Sequence, residues 1–230
     1  SKEIGLPFFA LAEPMAFNNE KIQILRDCGL SGLQVGIQSG SERVNREVYN
    51  RPVSNEKVLE VANYIHKLGI DVTYDIIFNN PYERLEDLQQ TVELFLKFPR
   101  PLTLQGYNLI FYPGTALTDK ALKDNYISLK PDVEDFSTIQ SRTDSPIETG
   151  GSGEISSRFY VINYNSREKE YLNTVISLIT YQHVSPWIIR FFSRHETPLK
   201  RVLLKKFSKL YVALSRIKEG IGRVIKVVVQ

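Results

Sequence analysis

Residues 32–81 read GLQVGIQSGSERVNREVYNRPVSNEKVLEVANYIHKLGIDVTYDIIFNNP. A strand, Leu33 to Gln38, runs into the polar turn Ser39-Gly40-Ser41. Helical sequence follows, with Arg51-Pro52 inside it and an amphipathic helix from about Asn55 to Leu68. In that helix Val58, Leu59, Val61, Ala62 and Ile65 fall at helical spacing, and Gly69 supplies the stop. A second strand, Val72 to Phe78, ends in Asn79-Asn80-Pro81. Two strands separated by helical sequence make a βαβ unit, and so long a crossover requires parallel pairing. Polar residues then fall at the carboxyl ends of both strands, where parallel α/β folds place their ligands.

Outward from this unit the alternation continues. Leu6 to Ala12 reads as a strand closed by Glu13-Pro14, and Asn19 is expected to cap a helix carrying Ile22, Ile24 and Leu25 that ends near Cys28-Gly29. Beyond Pro81, Tyr82 to Phe98 is expected as a helix that Pro99 and Pro101 end, with Glu86 and Asp87 in its first turn. Leu102 to Ile110 is a further strand, leaving through Tyr112-Pro113-Gly114-Thr115 into a helix that runs to about Asn125. From Tyr126 to Gly153 periodicity fades, and Gly150-Gly151-Ser152-Gly153 has linker composition. Phe159 to Tyr164 is expected to be extended and Ser166 to Gln182 helical; beyond Pro198 an apolar stripe runs through Leu199, Val202, Leu203, Phe207, Leu210, Tyr211 and Leu214. The expected fold is therefore α/β with parallel strands over 1–127, a linker or loop over 128–158, and a basic, mainly helical region over 159–230.

Composition narrows the function classes. A chain of 230 residues, 42% hydrophobic and 24% charged, is ordinary for a globular protein with a sizeable core. The single cysteine, Cys28, excludes an internal disulfide framework and suits a reducing compartment. It also means that the several thiolates of an iron–sulfur cluster cannot come from this stretch alone. His66, His183 and His195 have no metal-ligand spacing among them. Neither a signal peptide nor an apolar run of ~20 residues is present, so the expected location is cytoplasmic, with peripheral membrane contact open. The net charge of +3 hides an asymmetry: residues 186–230 carry 11 Lys and Arg against 2 Asp and Glu, and the remainder carries 18 against 24.

The segments GIQSGSERV, YNRPVS, YDIIFNNPYERLEDLQQTVELF and YNLIFYPGTAL resemble successive parts of a radical S-adenosylmethionine (SAM) enzyme barrel. The likeness covers roughly residues 5–127 and is greatest to the cobalamin-dependent branch, in which a B12-binding domain precedes the barrel. It implies a partial TIM-type (β/α) barrel over residues 1–127, the C-terminal part of the family's barrel. The C-x-x-x-C-x-x-C signature of the 4Fe-4S cluster is absent, so the resemblance places the cluster ligands outside this chain, in an upstream part of the same protein.

The resemblance also implies roles, each beside a structural alternative. Gln38 matches an amide that contacts SAM, and a strand-end amide bonded only to the protein is its alternative. Ser39 and Gly40, with Ser41, form a turn whose N–H groups and hydroxyls suit a carboxylate or ribose, though an ordinary helix-entry turn capped by Ser41 has the same residues. Arg51 matches an arginine reaching the cofactor carboxylate, a bidentate task that suits guanidinium, and surface arginines are common. Asp75 is a charge in an apolar strand, which requires a partner or a polar cavity, and matches an Asp near the cofactor adenosine or ribose. Asn108, with Tyr107, stands at the next strand end, facing adenine or substrate. Glu13 is a weaker candidate and no catalytic side chain is singled out.

The implied function is a radical SAM enzyme acting on an unactivated C–H bond of a small-molecule or lipid substrate, with cobalamin-dependent methyl transfer as one outcome. The implied cofactors are SAM, the 4Fe-4S cluster and, in that branch, cobalamin. A non-catalytic barrel fragment holding a nucleoside or a protein partner is the alternative. For the basic tail, residues 186–230, the readings are a solvated helical face, an anionic membrane surface, or nucleic acid, for which no reader motif is present.

Overall fold

A computed structural model describes residues 5–131, 159–210 and 213. Four strands, β1 (Phe8–Ala12), β2 (Leu30–Gln38), β3 (Asp71–Phe78) and β4 (Thr103–Asn108), form one sheet in the order β1-β2-β3-β4, with every pairing parallel. Helices α1 (Asn19–Asp27), α2 (Glu42–Glu47), α3 (Asn55–Lys67) and α4 (Leu85–Phe95) make the crossovers. This is the expected partial (β/α) barrel.

Alternation along the strands sorts the two faces. Leu33, Val35 and Ile37 of β2 and Tyr74 and Ile76 of β3 are buried against α3, through Val58, Val61, Ala62 and Ile65, and against α4, through Leu88, Val92 and Phe95. The opposite face carries Phe9 and Leu11 of β1, exposed, and the half-buried Gln34, Gly36, Gln38 and Asp75. Carboxyl and guanidinium groups are tolerated there because the face is open.

Local differences from the sequence reading have physical causes. The cap of α1 is Asn18, whose Oδ1 accepts from the backbone N–H groups of Glu20 and Lys21, so Asn19 is the first helical residue. On α1 only Ile22 is buried; Ile24 and Leu25 are exposed. Residues 50–54 are not helical: Pro52 disfavours the helical conformation at Arg51, and Asn50 takes φ 53°. Helix α4 begins at Leu85, after the expected Tyr82, because the Asp87 carboxylate reaches back to accept from the Arg84 N–H and so ties down the first turn.

Beyond β4, α5 (Ala116–Lys123) is capped by Thr115, and β5 (Ile127–Leu129) pairs antiparallel with β6 (Tyr160–Ile162) over a small core of Phe111, Ala121, Ile127, Phe159 and Tyr160. The glycine-rich stretch 150–153 lies outside the described residues. Helix α6 (Arg167–Ser177), capped by Ser166, continues as a 3-10 turn to Thr180, and α7 (Pro186–Ser193) follows. Residues 198–210 form a last described helix, which Thr197 caps through Lys200 N–H. Tyr171, Val175, Ile176, Ile179, Ile189 and Leu204 join the same core as the parallel sheet. Of the stripe expected on the last helix, Leu199, Val202, Leu203 and Leu210 are exposed, Leu204 takes the buried position, and Tyr211 and Leu214 lie outside the described residues.

Candidate functional site

The carboxyl ends of β1 and β2 bring Glu13, Gln38 and Arg51 together. Gln38, the last residue of β2, adopts φ 69°, a left-handed conformation that costs a non-glycine residue ~1 kcal/mol. The register of β2 on β3 shifts between Gly36 and Gln38, as in a bulge that re-aims a side chain at a strand end. The Gln38 amide folds back over Gly36: a Cβ there would lie 2.5 Å from Gln38 Nε2 and 3.4 Å from Arg51 Nη1. Glycine at 36 therefore makes the room in which amide and guanidinium meet. Arg51 Nη1 lies 3.5 Å from Glu13 Oε1, and both side chains are substantially exposed. In water such a pair stabilises little, and the guanidinium stays accessible to an incoming carboxylate.

Asp75 stands opposite Gly36 in the β2–β3 register. Both its carboxylate oxygens accept from Gln34 Nε2, at 3.0 and 2.8 Å, and the same nitrogen lies 3.1 Å from the Tyr107 hydroxyl. Burial raises the Asp75 carboxyl above its ordinary range, and the Gln34 hydrogen bonds oppose the rise. Glu13, Gln38, Arg51 and Asp75 thus offer an anion binder, an amide and two carboxylates at one end of the sheet. Chemically, the guanidinium can take an anion, and the carboxylates can take a cation or hydroxyl groups.

Ser39 and Gly40 are placed elsewhere. Ser39 is fully buried, and its hydroxyl donates to Glu83 Oε1 at 2.7 Å while its carbonyl accepts from Asn45 Nδ2. The Gly40 N–H donates to Thr91 Oγ1 at 2.8 Å, and a Cβ on Gly40 would lie 2.3 Å from the Thr91 Cα. Ser41 caps α2 and donates to Asp87 Oδ1 at 2.6 Å, and Arg43 pairs with Asp87. The turn is thus clamped onto α4, with its hydroxyls used inside the protein. Burial, and then Asp87 nearby, raises the Glu83 carboxyl to about 7, against hydrogen bonding from Ser39. Burial also pushes Asp87 upward, but the hydrogen bonds from Arg43, Ser41 and the Arg84 backbone outweigh it and hold it below the usual carboxylate range.

Asn108 ends β4 opposite Phe78, where its Oδ1 accepts from Asn79 Nδ2 at 2.7 Å. Asn79, at φ 58°, also accepts from Asn173 Nδ2 on α6 and, through its carbonyl, from the Tyr164 hydroxyl. Asn108 therefore belongs to a strand-end lock between β3, β4 and α6. Two site features escaped the sequence reading. Gln34 lies two residues before Gly36 on the same strand face, which period-two alternation could have shown; Glu83, Asp87 and Thr91 are partners of the turn that only the fold brings near. No group of three or more His, Cys, Asp or Glu among the described residues could hold a metal ion, and Cys28 sits at the end of α1. The residues present do not fit a cluster. A cleft of about 510 Å³ lined by Phe9, Gly32, His66, Asp71 and Pro101 lies at the amino ends of the strands, away from this group.

Residues 2–95 match the sequence profile of the Radical SAM superfamily. None of the curated proteins compared matches the chain. Among solved structures, the chain is similar to two of TsrM from Kitasatospora setae, a radical S-adenosylmethionine methyltransferase, one with cobalamin and a 4Fe-4S cluster bound and one with tryptophan and a SAM analogue. Both are 15% identical with TM-scores of 0.45, and the matches cover 55% and 54% of this chain and 26% and 25% of theirs. Coproporphyrinogen III oxidase (HemN) from Escherichia coli, a radical SAM enzyme, is 14% identical with a TM-score of 0.40, over 82% of this chain and 58% of that one. The chain spans about a quarter of the TsrM chain and a little over half of HemN.

Proposed function

We propose that this chain forms part of a radical SAM enzyme and contributes the side chains that hold SAM. The observation that carries the reading is the meeting of Gln38, Arg51 and Glu13 around Gly36, with Asp75 opposite, inside the segment that matches the superfamily profile. Arg51 takes the methionyl carboxylate by a charge-assisted pair, displacing Glu13 to the ammonium. Gln38 bridges the two by donating and accepting. Asp75, held by Gln34, accepts from the ribose hydroxyls. Bound SAM supplies the precursor of a carbon radical that abstracts hydrogen from a C–H bond, and the protein binds, orients and excludes water around it.

The 4Fe-4S cluster needs thiolates that one cysteine cannot supply, so its ligands come from residues outside this chain. The open edge of β1, with Phe9, Leu11 and, on α1, Ile24 exposed, is a surface that a further strand–helix unit suits. Cobalamin-dependent methyl transfer is the finer proposal and rests on the likeness of the four sequence segments to that branch.

Calorimetric titration with SAM tests the binding half: Arg51→Ala and Gly36→Ala each lower affinity at least about tenfold, the cost of a lost charge-assisted hydrogen bond. Unchanged affinity in both variants removes the site. With the cluster-bearing residues present, formation of 5′-deoxyadenosine on anaerobic reduction tests the enzymatic half. Binding without that product favours a non-catalytic nucleoside-holding barrel instead.

A further inference from the structure

Helix α7 and the helix over 198–210 leave large apolar side chains in solvent on the outside of the molecule. Trp187 is 68% exposed, and Phe191, one turn later, is also exposed. On the second helix Leu199, Val202, Leu203 and Leu210 project outward at intervals that keep them on one side, while Leu204 faces the core. Lys200 joins the two helices into one surface: its ammonium lies 4.5 Å above the Phe191 ring and donates to the carbonyls of Phe191 and Arg194. A shallow groove of about 360 Å³ lies between them, lined by Trp187, Arg190, Phe191, Arg194 and Lys200. Around this apolar surface stand Arg194, Lys205, Lys206 and Lys209, all exposed and in no ion pair among the described residues. Arg190 and Arg201 are already paired, with Glu93 and Glu196.

We propose that this face docks on an anionic lipid bilayer, lying in the interface. The charge of the face is complementary to acidic headgroups, and each of its two kinds of residue has a place there. Aromatic rings settle at headgroup level, aliphatic side chains reach the acyl boundary, and lysines beside them remain in the headgroup layer. The aliphatic part selects lipid over nucleic acid, because Leu199, Val202, Leu203 and Leu210 offer neither a charge to pair with a phosphate nor a ring on which bases stack. None of the described helices is long and apolar enough to cross a membrane. Docked this way, the chain takes up a fixed orientation on the lipid surface.

Trp187 is the only tryptophan of the chain, so its fluorescence reports directly on the face. Vesicles of phosphatidylcholine with 30% phosphatidylserine are expected to shift its emission to the blue and to bind the protein at least about tenfold more tightly than phosphatidylcholine alone. Raising NaCl from 100 to 500 mM should remove most of that preference. The triple variant Lys205→Glu, Lys206→Glu, Lys209→Glu, altered only at exposed positions, should lose the preference while keeping its far-ultraviolet circular dichroism. In Phe191→Ala, which retains the reporter, binding should weaken severalfold. Trp187 emission unmoved by anionic vesicles overturns the proposal, as does binding that the lysine reversals leave intact. Single-stranded RNA binding, or association of two copies, that the same variants abolish while vesicle binding is absent would also overturn it, assigning the face to that occupant.

Discussion

At the residue scale, two glycines of the stretch 32–81 do opposite things for lack of a Cβ. Gly40 lets the turn after β2 press onto the backbone of Thr91, and Gly36 opens the space in which Gln38 and Arg51 meet. Beside the first lies Glu83, buried, with its carboxyl raised to about 7 from an ordinary 4.5. The folded chain holds that proton more tightly than the unfolded one, so the stability linked to it is complete below about pH 4.5. It is lost as pH rises toward 7, roughly 3 kcal/mol in all. Asp87 runs the other way, its contribution lost only as pH falls below its ordinary 3.8, outside this window. Urea unfolding between pH 5 and 8 should therefore show stability declining. Glu83→Gln, which still accepts from Ser39, should flatten the decline and exceed the parent at pH 8 by ~1–3 kcal/mol. Gln38, Arg51 and Asp75 stood out because the sequence around them has a recognisable pattern, and the structure brings the Gln38 amide and the Arg51 guanidinium together over Gly36. Glu83 as the partner of Ser39 was not legible, because 44 residues separate them and only the packing of α4 against the turn joins them.

At the element scale, strands and helices were legible wherever periodicity and caps agreed: α3 starts after Ser54 and stops before Gly69 as expected. The ends were less so. Arg51-Pro52 lies in a loop because a backbone constraint overrode the surrounding helical composition, and α7 and the helix over 198–210 expose apolar side chains to solvent. Three elements converge on Asn79, whose amide and carbonyl group serve β4, α6 and Tyr164. Asn79→Ala removes the side-chain bonds and places a Cβ residue with no stabilising amide at φ 58°, so ~2–3 kcal/mol should be lost. Asn79→Gly, free of the strain, should lose about half of that in the same chemical denaturation.

At the scale of the molecule, the half-barrel and the helices after it share one core. Tyr171, Leu172, Val175, Ile176 and Ile179 pack with Val92, Leu94 and Phe95 as members of a single cluster. Deleting residues 131–230 uncovers several large side chains at once, at roughly 1.5–3 kcal/mol each, which exceeds the margin of an ordinary domain. The fragment 1–130 is expected to lack cooperative thermal unfolding by circular dichroism, and a sharp transition near that of the whole chain would refute this. The alternating strands and helices announced the sheet, but nothing in the sequence announced that the helices of the C-terminal region belong to its core, since an apolar stripe does not name its partner.

The antiparallel pairing of β5 with β6 brings Lys130 N–H to within 3.1 Å of the Phe159 carbonyl. Residues 130 and 159 are therefore neighbours in space, so the length of chain that joins them places no demand on the pairing. Loop-closure entropy grows slowly with length, by only about 0.6 kcal/mol per doubling. A whole additional module could be spliced in between them, or the chain severed there, with the two halves still meeting where β5 pairs with β6.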